Sequence, residues 1–398
     1  MARHTPFHDR TSVLNTTQLW SHWAGYLSAQ RYQLSEKFEY FAVRNSAGMF
    51  DTSPLYKYRI RGRDAEQFLG GLLTRDIRKC RPGQAQYTIW CDDDGFVIED
   101  GVVIRQSETD FLLSAAEPNL AYFQDRIGRL QVTIDDISDE VAALALQGPK
   151  SKEILSRLSP EIESLRYFET VETKIGGAPV TVSRTGFTGD QGYEIWVEND
   201  DALTLWDAVS DASAGYGVLP FGEIALLMTR IEAGLLLIDV DFSSSRYAWT
   251  DADRSTPLEL GLGWMLRTID DDGRPFIGRQ AIRRELAAGS RWNMTGLLID
   301  WKDWFNLYDR NGLVPPKDHL PGAYESILYD EAAEPVGYAT SLMYSPMVQR
   351  HIAIARVLPE LSTPGHHVNL EVTINHKWQQ VKATTTRMPF YNPPHKTA

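Results

Sequence analysis

The chain has 398 residues, of which 43% are hydrophobic, 11% aromatic and 23% charged. This composition predicts a soluble globular protein of two or three domains with a large core, and it excludes disordered, collagen-like and membrane-spanning chains. The 40 basic and 53 acidic side chains give a net charge of −13, which disfavours a nucleic-acid partner.

The cysteines and the N-terminal residues exclude further classes of protein. Cys80 and Cys91 form no CxxC pair and no cluster with histidine, so the sequence predicts neither a disulfide framework nor a metal site. Residues 1–8 lack the apolar region of a secretion signal, and no stretch approaches the ~18 apolar residues of a membrane span. We therefore expect a cytoplasmic protein with no membrane partner.

Strand patterns begin early in the chain. Polar and apolar residues alternate over residues 56–60 and again over 174–183, where Gly176 and Gly177 mark a hairpin turn. Because predicted strands often follow one another through turns, the mixture of elements favours an α+β fold over a doubly wound parallel sheet. Beyond Trp292 the helical pattern fades, which predicts a β-rich C-terminal domain.

Two helices are predicted in the middle of the chain. Apolar residues at helical spacing, from Ala202 to Val209, predict a helix within residues 200–216. The same spacing predicts a second helix over residues 223–232 that ends before Gly234.

Two carboxylates interrupt the apolar strand predicted over residues 95–104. Glu99 and Asp100 are neighbours in this strand, so their side chains point to opposite faces. A carboxylate in a core strand is costly unless it has a partner, which makes either residue a candidate for chemistry. The alternative is that both are solvated at a bend formed by Gly101.

A glycine-rich loop precedes a predicted strand that carries Glu194. This strand would point Glu194 away from its two neighbours, and its carboxylate could accept two parallel hydrogen bonds from an amino-pyrimidinone edge. The alternative is a plain hairpin with an exposed glutamate. Glycines at every third position of the loop would let the backbone approach a flat ligand: Gly186, Gly189 and Gly192.

Arg230 lies in the second predicted helix, which is apolar nearly all round and is therefore expected to be buried. A buried arginine needs an anionic partner. Glu223 lies two turns earlier on the same face, and a backbone group or a ligand carboxylate would also serve. A structural ion pair and ligand binding both remain open.

Common catalytic motifs are missing from the sequence. It contains no GxGxxG before a helix, no GxxxxGK[ST] phosphate loop, no HExxH and no GxSxG. We therefore expect a bound organic cofactor to carry the difficult chemical step.

Ten short segments, in order along most of the chain, resemble the aminomethyltransferase family, which comprises the tetrahydrofolate-dependent T-protein of the glycine cleavage system and its relatives. Each segment is short, but their shared order is specific. They are TPFHDR (5–10), AVRNSAGMFD (42–51), GQAQYT (83–88), GFVIEDGVVI (95–104), LQGP (146–149), RTGFTG (184–189), GYEI (192–195), RIEAGL (230–235), FIGR (276–279) and GYATS (337–341) followed by SP (345–346).

The resemblance implies a three-domain ring around a central channel in which folate binds. A first, folate-binding domain would be formed by residues 1–50 together with 140–245, and a second domain would be inserted at 51–139. A connecting segment, 246–285, would lead to a β-barrel-like C-terminal domain at 286–398.

The resemblance also assigns roles to individual residues. Asp100 matches the acidic residue beside the folate nitrogens that accept the one-carbon unit, and it is the expected catalytic residue. Glu194 matches the carboxylate that binds the pterin, and Arg230 matches an arginine of the same site. Tyr87 and Phe187 would pack on the folate ring system.

The chain departs from the family pattern near the expected site. The family's Ser-His-Met is Ser-Pro-Leu here, which places Leu55 against the folate, and its Asp-Asp-Leu is Glu-Asp-Gly at 99–101, which would change the wall next to the acceptor nitrogen. Several aromatic residues near predicted loops favour a small apolar or cationic methyl donor over a lipoyl arm, with core packing as the alternative for each. The expected donor contacts are Trp90, Trp249 and Trp304.

These features predict a demethylase that moves a methyl or methylene group from a small methylated substrate to N5 of tetrahydrofolate, with the protein positioning the two reactants. The first alternative is the T-protein itself, which takes an aminomethyl group from a lipoyl carrier protein. A second alternative is a folate-binding accessory protein of iron–sulfur assembly. That branch has a Lys-Gly-Cys-Tyr-x-Gly-Gln motif, whereas residues 273–279 here contain no cysteine.

Overall fold

Two β-sheets and a closed barrel form the framework of the chain, in a computed structural model that describes residues 2–271, 273–317, 320 and 325–397. A short hairpin and several helices surround them. These elements are β1 (Trp20–Trp23), β2 (Tyr26–Ala29), α1 (His8–Leu14), α2 (Glu36–Asn45), α7 (Glu223–Glu232) and α8 (Arg279–Ala288). No helix in the described ranges is long and apolar enough to cross a membrane.

The first sheet combines strands from two separate parts of the chain. Its order is β10-β11-β12-β9-β3-β13, with the β3–β13 pair parallel and the others antiparallel. Helices α5 (Ser151–Leu158) and α6 (Ala202–Ala212) cover one face. The strands are β3 (Gly48–Asp51), β9 (Val141–Gln147), β10 (Thr170–Ile175), β11 (Ala178–Ser183), β12 (Gly192–Glu198) and β13 (Leu219–Pro220).

The second sheet is antiparallel, with the order β5-β6-β7-β4-β8, and lies entirely between β3 and β9 in sequence. Helices α3 (Ala65–Leu72) and α4 (Leu120–Gln124) cover its outer face. This order is the one expected of a domain inserted into the first, while the domain boundaries remain predictions. The strands are β4 (Tyr56–Arg61), β5 (Gln84–Cys91), β6 (Val97–Arg105), β7 (Asp110–Ala115) and β8 (Thr133–Asp136).

A closed barrel of order β14-β17-β16-β15-β18-β19 confirms the β-rich C-terminal region. One helix there, α9 (Trp301–Arg310), is absent from the sequence prediction. It forms because Asp300 caps its N-terminus and the spaced apolar residues Trp304 and Leu307 enter the barrel core. The strands are β14 (Asn293–Ile299), β15 (Ser326–Tyr329), β16 (Pro335–Ser345), β17 (Arg350–Val357), β18 (His367–Ile374) and β19 (Lys377–Thr386).

The predicted elements in the middle of the chain are confirmed. Helix α6 lies within the predicted range, and α7 occupies the predicted residues 223–232. The hairpin between β10 and β11 turns at Gly176 and Gly177, whose φ angles of 61° and 94° favour glycine. The mixture of antiparallel sheets, helices and a barrel confirms the α+β class.

The inner faces of the two sheets pack against each other. Ala143 and Trp196 of the first sheet meet Ala85, Ile104 and Leu112 of the second in one apolar cluster. Because side chains alternate along a strand, the residues two positions away from these also face the interface between the sheets. This interface brings together the polar residues described next.

Candidate functional site

A cavity lies between the two sheets, beside their apolar cluster. Its non-atom space is about 300 Å³, a volume that includes open solvent at the mouth. Both sheets contribute to its wall, so it exists only because the second sheet packs on the first. The lining residues are Thr52, Leu55, Lys57, Val102, Ile104, Ser114, Ala143, Ser183, Glu194 and Trp196.

Glu194 is a half-buried carboxylate in the wall of this cavity. Its neighbours Tyr193 and Ile195 point to the opposite face and are fully buried, as the strand pattern predicts. The hydroxyl of Thr185 donates a hydrogen bond to Glu194 Oε2, and no other side chain of the described residues donates to this carboxylate. Burial raises the pKa of Glu194, and the bond from Thr185 opposes that shift. The carboxylate can therefore accept further N–H groups from a ligand.

The glycines of the preceding loop have a different role from the one predicted. A side chain on Gly186 or Gly192 would come within 1.9 or 2.2 Å of the Gln147 amide, and one on Gly189 would meet Ala233 at 2.4 Å. These glycines make room for neighbouring protein side chains rather than for a flat ligand, which corrects the sequence interpretation.

Asp100 and Tyr87 form a hydrogen-bonded pair on the inner face of the second sheet. Both are half-buried, and Tyr87 Oη donates to Asp100 Oδ2 at 2.8 Å. Asp100 lies on β6 two residues before Val102, which lines the cavity and pairs with Tyr87 across the strands. The pair therefore borders the cavity, about 6.6 Å along the strand from Val102.

The environment of Asp100 brings its pKa close to neutral pH. Burial raises the pKa of Asp100 to about 6, and the bond from Tyr87 opposes that rise. At neutral pH most of the carboxylate is ionised, yet it accepts a proton more readily than an ordinary aspartate. Such a group can act as a general base.

Glu99 points to the opposite side of the sheet, towards the apolar core on the outer face of the second sheet. It is fully buried and accepts hydrogen bonds from the Ala116 amide at 2.8 Å and from Asn119 Nδ2 at 2.7 Å. Burial raises the pKa of Glu99 to about 9. Glu99 and Asp100 are therefore neither solvated nor equivalent, and Asp100 is the one that faces the cavity region.

The glycine at position 101 does not change the wall beside Asp100, contrary to the sequence interpretation. A side chain there would lie 2.2 Å from the Ser114 carbonyl oxygen and 3.2 Å from the ring of Trp90. Gly101 thus faces the core side that holds Trp90, and the two residues on the opposite face, Asp100 and Val102, are not affected.

Leu55 lies in the cavity wall with Glu194, and the sequence analysis missed its neighbour Lys57. Lys57 is only 1% exposed, and its Nζ donates to the carbonyl oxygens of Ser53 and Leu55, both at 2.8 Å. Burial lowers the pKa of Lys57 to about 8. The alternation over residues 56–60 indicates a polar face, but on that face only Arg59 reaches solvent, while Lys57 is buried beside the first sheet.

Phe187 is half-buried in the loop between β11 and β12, the loop that also holds Thr185. Phe187 is not among the residues that line the cavity, and its packing on a ring system stays a prediction.

Arg230 is placed away from the cavity, in a buried cluster that joins α7 to the barrel. Its guanidinium pairs with Asp241, and it donates to Ser341 Oγ at 2.8 Å and to the Leu235 carbonyl at 3.2 Å. Glu223, the partner considered from sequence, instead accepts from Ser21. The geometry favours the structural ion pair over ligand binding.

The three tryptophans expected to contact a donor do not share a site. Trp90 is fully buried in the core on the outer face of the second sheet, where its Nε1 donates to Asn119 Oδ1 at 3.2 Å. Trp249 is 95% exposed, and Trp304 is buried in the barrel core. Core packing explains Trp90 and Trp304, and the expected aromatic wall for a methyl donor is not formed.

In the described part of the chain, no group of three or more His, Cys, Asp and Glu side chains is placed to hold a metal ion. Cys80 and Cys91 are buried free thiols.

The sequence matches two known domain families. It matches the GCVT N-terminal domain over residues 7–269 and the glycine cleavage T-protein C-terminal barrel domain over residues 310–392. It is 32% identical over 363 residues to an aminomethyltransferase of Geobacillus kaustophilus, with 90% of each chain covered. It is 31% identical over 363 residues to an aminomethyltransferase of Bacillus subtilis, with 90% of this chain and 91% of the relative covered.

A solved structure shares the fold. The glycine cleavage system aminomethyltransferase T from Bartonella henselae superposes with a TM-score of 0.83 and covers 98% of this chain and 99% of its own. The two sequences are 21% identical, so this likeness concerns the architecture alone.

Proposed function

This chain belongs to the glycine cleavage T-protein family, and we propose that it is a tetrahydrofolate-dependent aminomethyltransferase. The observation that carries the proposal is the cavity between the two sheets, with Glu194 in its wall and the Asp100–Tyr87 pair at its border. Relatives that align with nine-tenths of the chain are named aminomethyltransferases, which supports an aminomethyl donor.

The donor preferred from sequence, a small methylated compound, becomes the second candidate. Its main support was a set of tryptophans that the structure places apart. One observation still favours it: the departure from the family's Ser-His-Met ends at Leu55, which lies in the cavity wall beside Glu194. A change at this position would alter the shape of the cavity.

The residues of the site fit a reduced folate. Reduced folate, when bound, supplies the nucleophilic amine that takes up the carbon unit. Glu194 would accept the N–H groups of the amino-pyrimidinone edge, because Thr185 leaves most of its acceptor capacity unused. Asp100 would take up a proton from the acceptor nitrogen, with Tyr87 holding its carboxylate in place.

A donor assay tests the proposal. The purified protein is mixed with tetrahydrofolate and either an aminomethyl-loaded lipoyl carrier protein or a panel of methoxy, N-methyl and methylsulfonio compounds. We expect ammonia release with the carrier and no turnover of the panel. Turnover of a panel compound alone would replace the proposal by demethylation, and folate binding without any transfer would favour an accessory protein.

Glu194→Gln is expected to weaken tetrahydrofolate binding about 10- to 100-fold, because charge-assisted hydrogen bonds contribute about 1.5–3 kcal/mol. Glutamine keeps the volume and can still accept from Thr185. Isothermal titration calorimetry measures the dissociation constant, with Glu198→Gln, at the exposed end of the same strand, as control. Equal affinities for wild type and Glu194→Gln would exclude this carboxylate from the folate site.

Tyr87→Phe is expected to shift the pH dependence of kcat/KM. The bond from Tyr87 stabilises ionised Asp100, so its removal raises the pKa of Asp100 further above 6. Because the base must be ionised, the loss of activity at acid pH should begin at a higher pH in the variant. A pH–rate profile that does not move would show that Asp100 is not the titrating base.

A further inference from the structure

Arg75 is a cation beside the proposed site, and none of the residues that the structure describes gives it an anionic partner. Three buried arginines, Arg44, Arg105 and Arg230, meet carboxylates. Arg356 is bonded instead to the Ser255 hydroxyl and the Asp241 backbone carbonyl. Arg75 is half-buried, and in the described ranges no carboxylate lies within salt-bridge distance of it. Burial lowers the pKa of Arg75, and no acidic side chain offsets this effect. An arginine in this condition is a candidate for binding an anion.

The position of Arg75 connects it to the Asp100–Tyr87 pair. The segment before it hydrogen-bonds along the free edge of β5, where the Thr74 amide donates to the Ile89 carbonyl at 3.0 Å. Ile89 is paired with Asp100 across the strands. Arg75 itself donates to the Tyr87 carbonyl at 3.0 Å. Arg75 is therefore about two strand spacings, about 10 Å, from Asp100.

With the described residues, the guanidinium of Arg75 makes one hydrogen bond and one ring contact, which leaves other N–H donors unused. Nη1 makes the single bond to Tyr87, and the group lies over the ring of Trp264, 5.1 Å from its centroid. Trp264 is 42% exposed and Arg75 itself is half-buried, so both side chains lie at the protein surface. Its neighbours Met265 and Leu266 pack in the same cluster as Tyr87. Most of the five N–H donors of Arg75 thus remain available at the rim of the site.

We infer that Arg75 is a binding residue for a carboxylate of a ligand that extends from the Asp100–Tyr87 pair to the edge of β5. The inference rests on the proposed function and adds an anionic group to the ligand. The carboxylate belongs either to the glutamate tail of tetrahydrofolate or to the one-carbon donor. Glu194 lines the cavity together with Val102 of β6, whereas Arg75 lies at the free edge of β5. A ligand that reaches both residues therefore needs an N–H edge and, separate from it, a carboxylate.

Calorimetry with Arg75→Gln separates these sources. If the folate tail is the ligand, the variant binds tetrahydrofolate at least about tenfold more weakly, while the affinity for 6-methyltetrahydropterin, which has no tail, is unchanged. If the donor carries the carboxylate, tetrahydrofolate affinity is unchanged and the KM for the donor that is turned over rises at least about tenfold. Arg81→Gln, an exposed arginine in the turn before β5, is the matched control and should change neither quantity.

Two outcomes overturn the inference. One leaves the proposed function intact, and the other overturns the proposed function as well. If wild type binds tetrahydrofolate and Arg75→Gln changes neither its affinity nor the donor KM, Arg75 binds no ligand carboxylate and the proposed function stands. If wild type binds no tetrahydrofolate, the proposed function fails and the inference fails with it. Circular dichroism and the Tm of Arg75→Gln establish that the variant is folded.

Discussion

Asp100→Asn is expected to lower kcat by about 10²- to 10⁴-fold while tetrahydrofolate affinity stays close to that of wild type. Asparagine matches aspartate in size and can still accept the hydrogen bond from Tyr87, which is 2.8 Å long in the wild type. It cannot take up a proton, however, and the negative charge beside the reacting nitrogen is lost. Because Glu194, and not Asp100, binds the pterin edge in this account, the effect belongs to turnover rather than to binding.

The measurement combines steady-state kinetics with calorimetric titration of tetrahydrofolate. Asp93→Asn is a suitable control, because Asp93 is exposed in the turn that leads into β6. It removes a carboxylate from the same hairpin without changing the site. Full activity in Asp100→Asn would remove Asp100 from the mechanism, and a parallel loss of folate affinity would instead make it a binding residue.

Asp241→Asn is expected to lower the free energy of unfolding by about 3–5 kcal/mol, because it leaves Arg230 buried without a counter-charge. Asp241 is 1% exposed. Its Oδ2 accepts from Arg230 and from the Leu237 amide, and its Oδ1 accepts from Thr340 and Ser341. The substitution therefore weakens the junction between α7 and the barrel.

Urea unfolding measures this effect. Asp207→Asn removes one partner of an exposed pair, Arg10–Asp207, whose side chains are 40% and 50% exposed, and it should cost no more than about 1 kcal/mol. Equal losses in the two variants would contradict the structural role assigned to Arg230. A large loss of tetrahydrofolate affinity in a fully stable Asp241→Asn variant would restore the ligand-binding alternative.

The spacing of apolar residues along the sequence was enough to predict helix α7 and the alternation of side chains in strand β6. Helix α7 has buried apolar residues at helical spacing, among them Ile224, Met228 and Ile231, and Gly234 follows its end, so its bounds could be predicted from the sequence. The two carboxylates of β6 point to opposite faces because strands alternate. Helix α9 was missed because only Trp304 and Leu307 are buried in it, and the polar and exposed aromatic residues around them hide the helical spacing.

Partners that are distant in sequence could not be predicted in the same way. Arg230 and Asp241 are brought together by a turn that follows α7, and Ser341 comes from the barrel. Lys57 was overlooked because an alternating strand does not reveal whether its polar face meets water or another sheet. Arg75 likewise has no signal in sequence, since its importance lies in the carboxylates that are absent around it.

The account depends most directly on whether a reduced folate occupies the cavity between the sheets. Titrating tetrahydrofolate into wild-type protein and into Glu194→Gln in a calorimeter tests this in one experiment. The account predicts binding of one folate per chain in the wild type and about 10- to 100-fold weaker binding in the variant. No heat of binding to the wild type at millimolar tetrahydrofolate, or equal binding by both proteins, would contradict it.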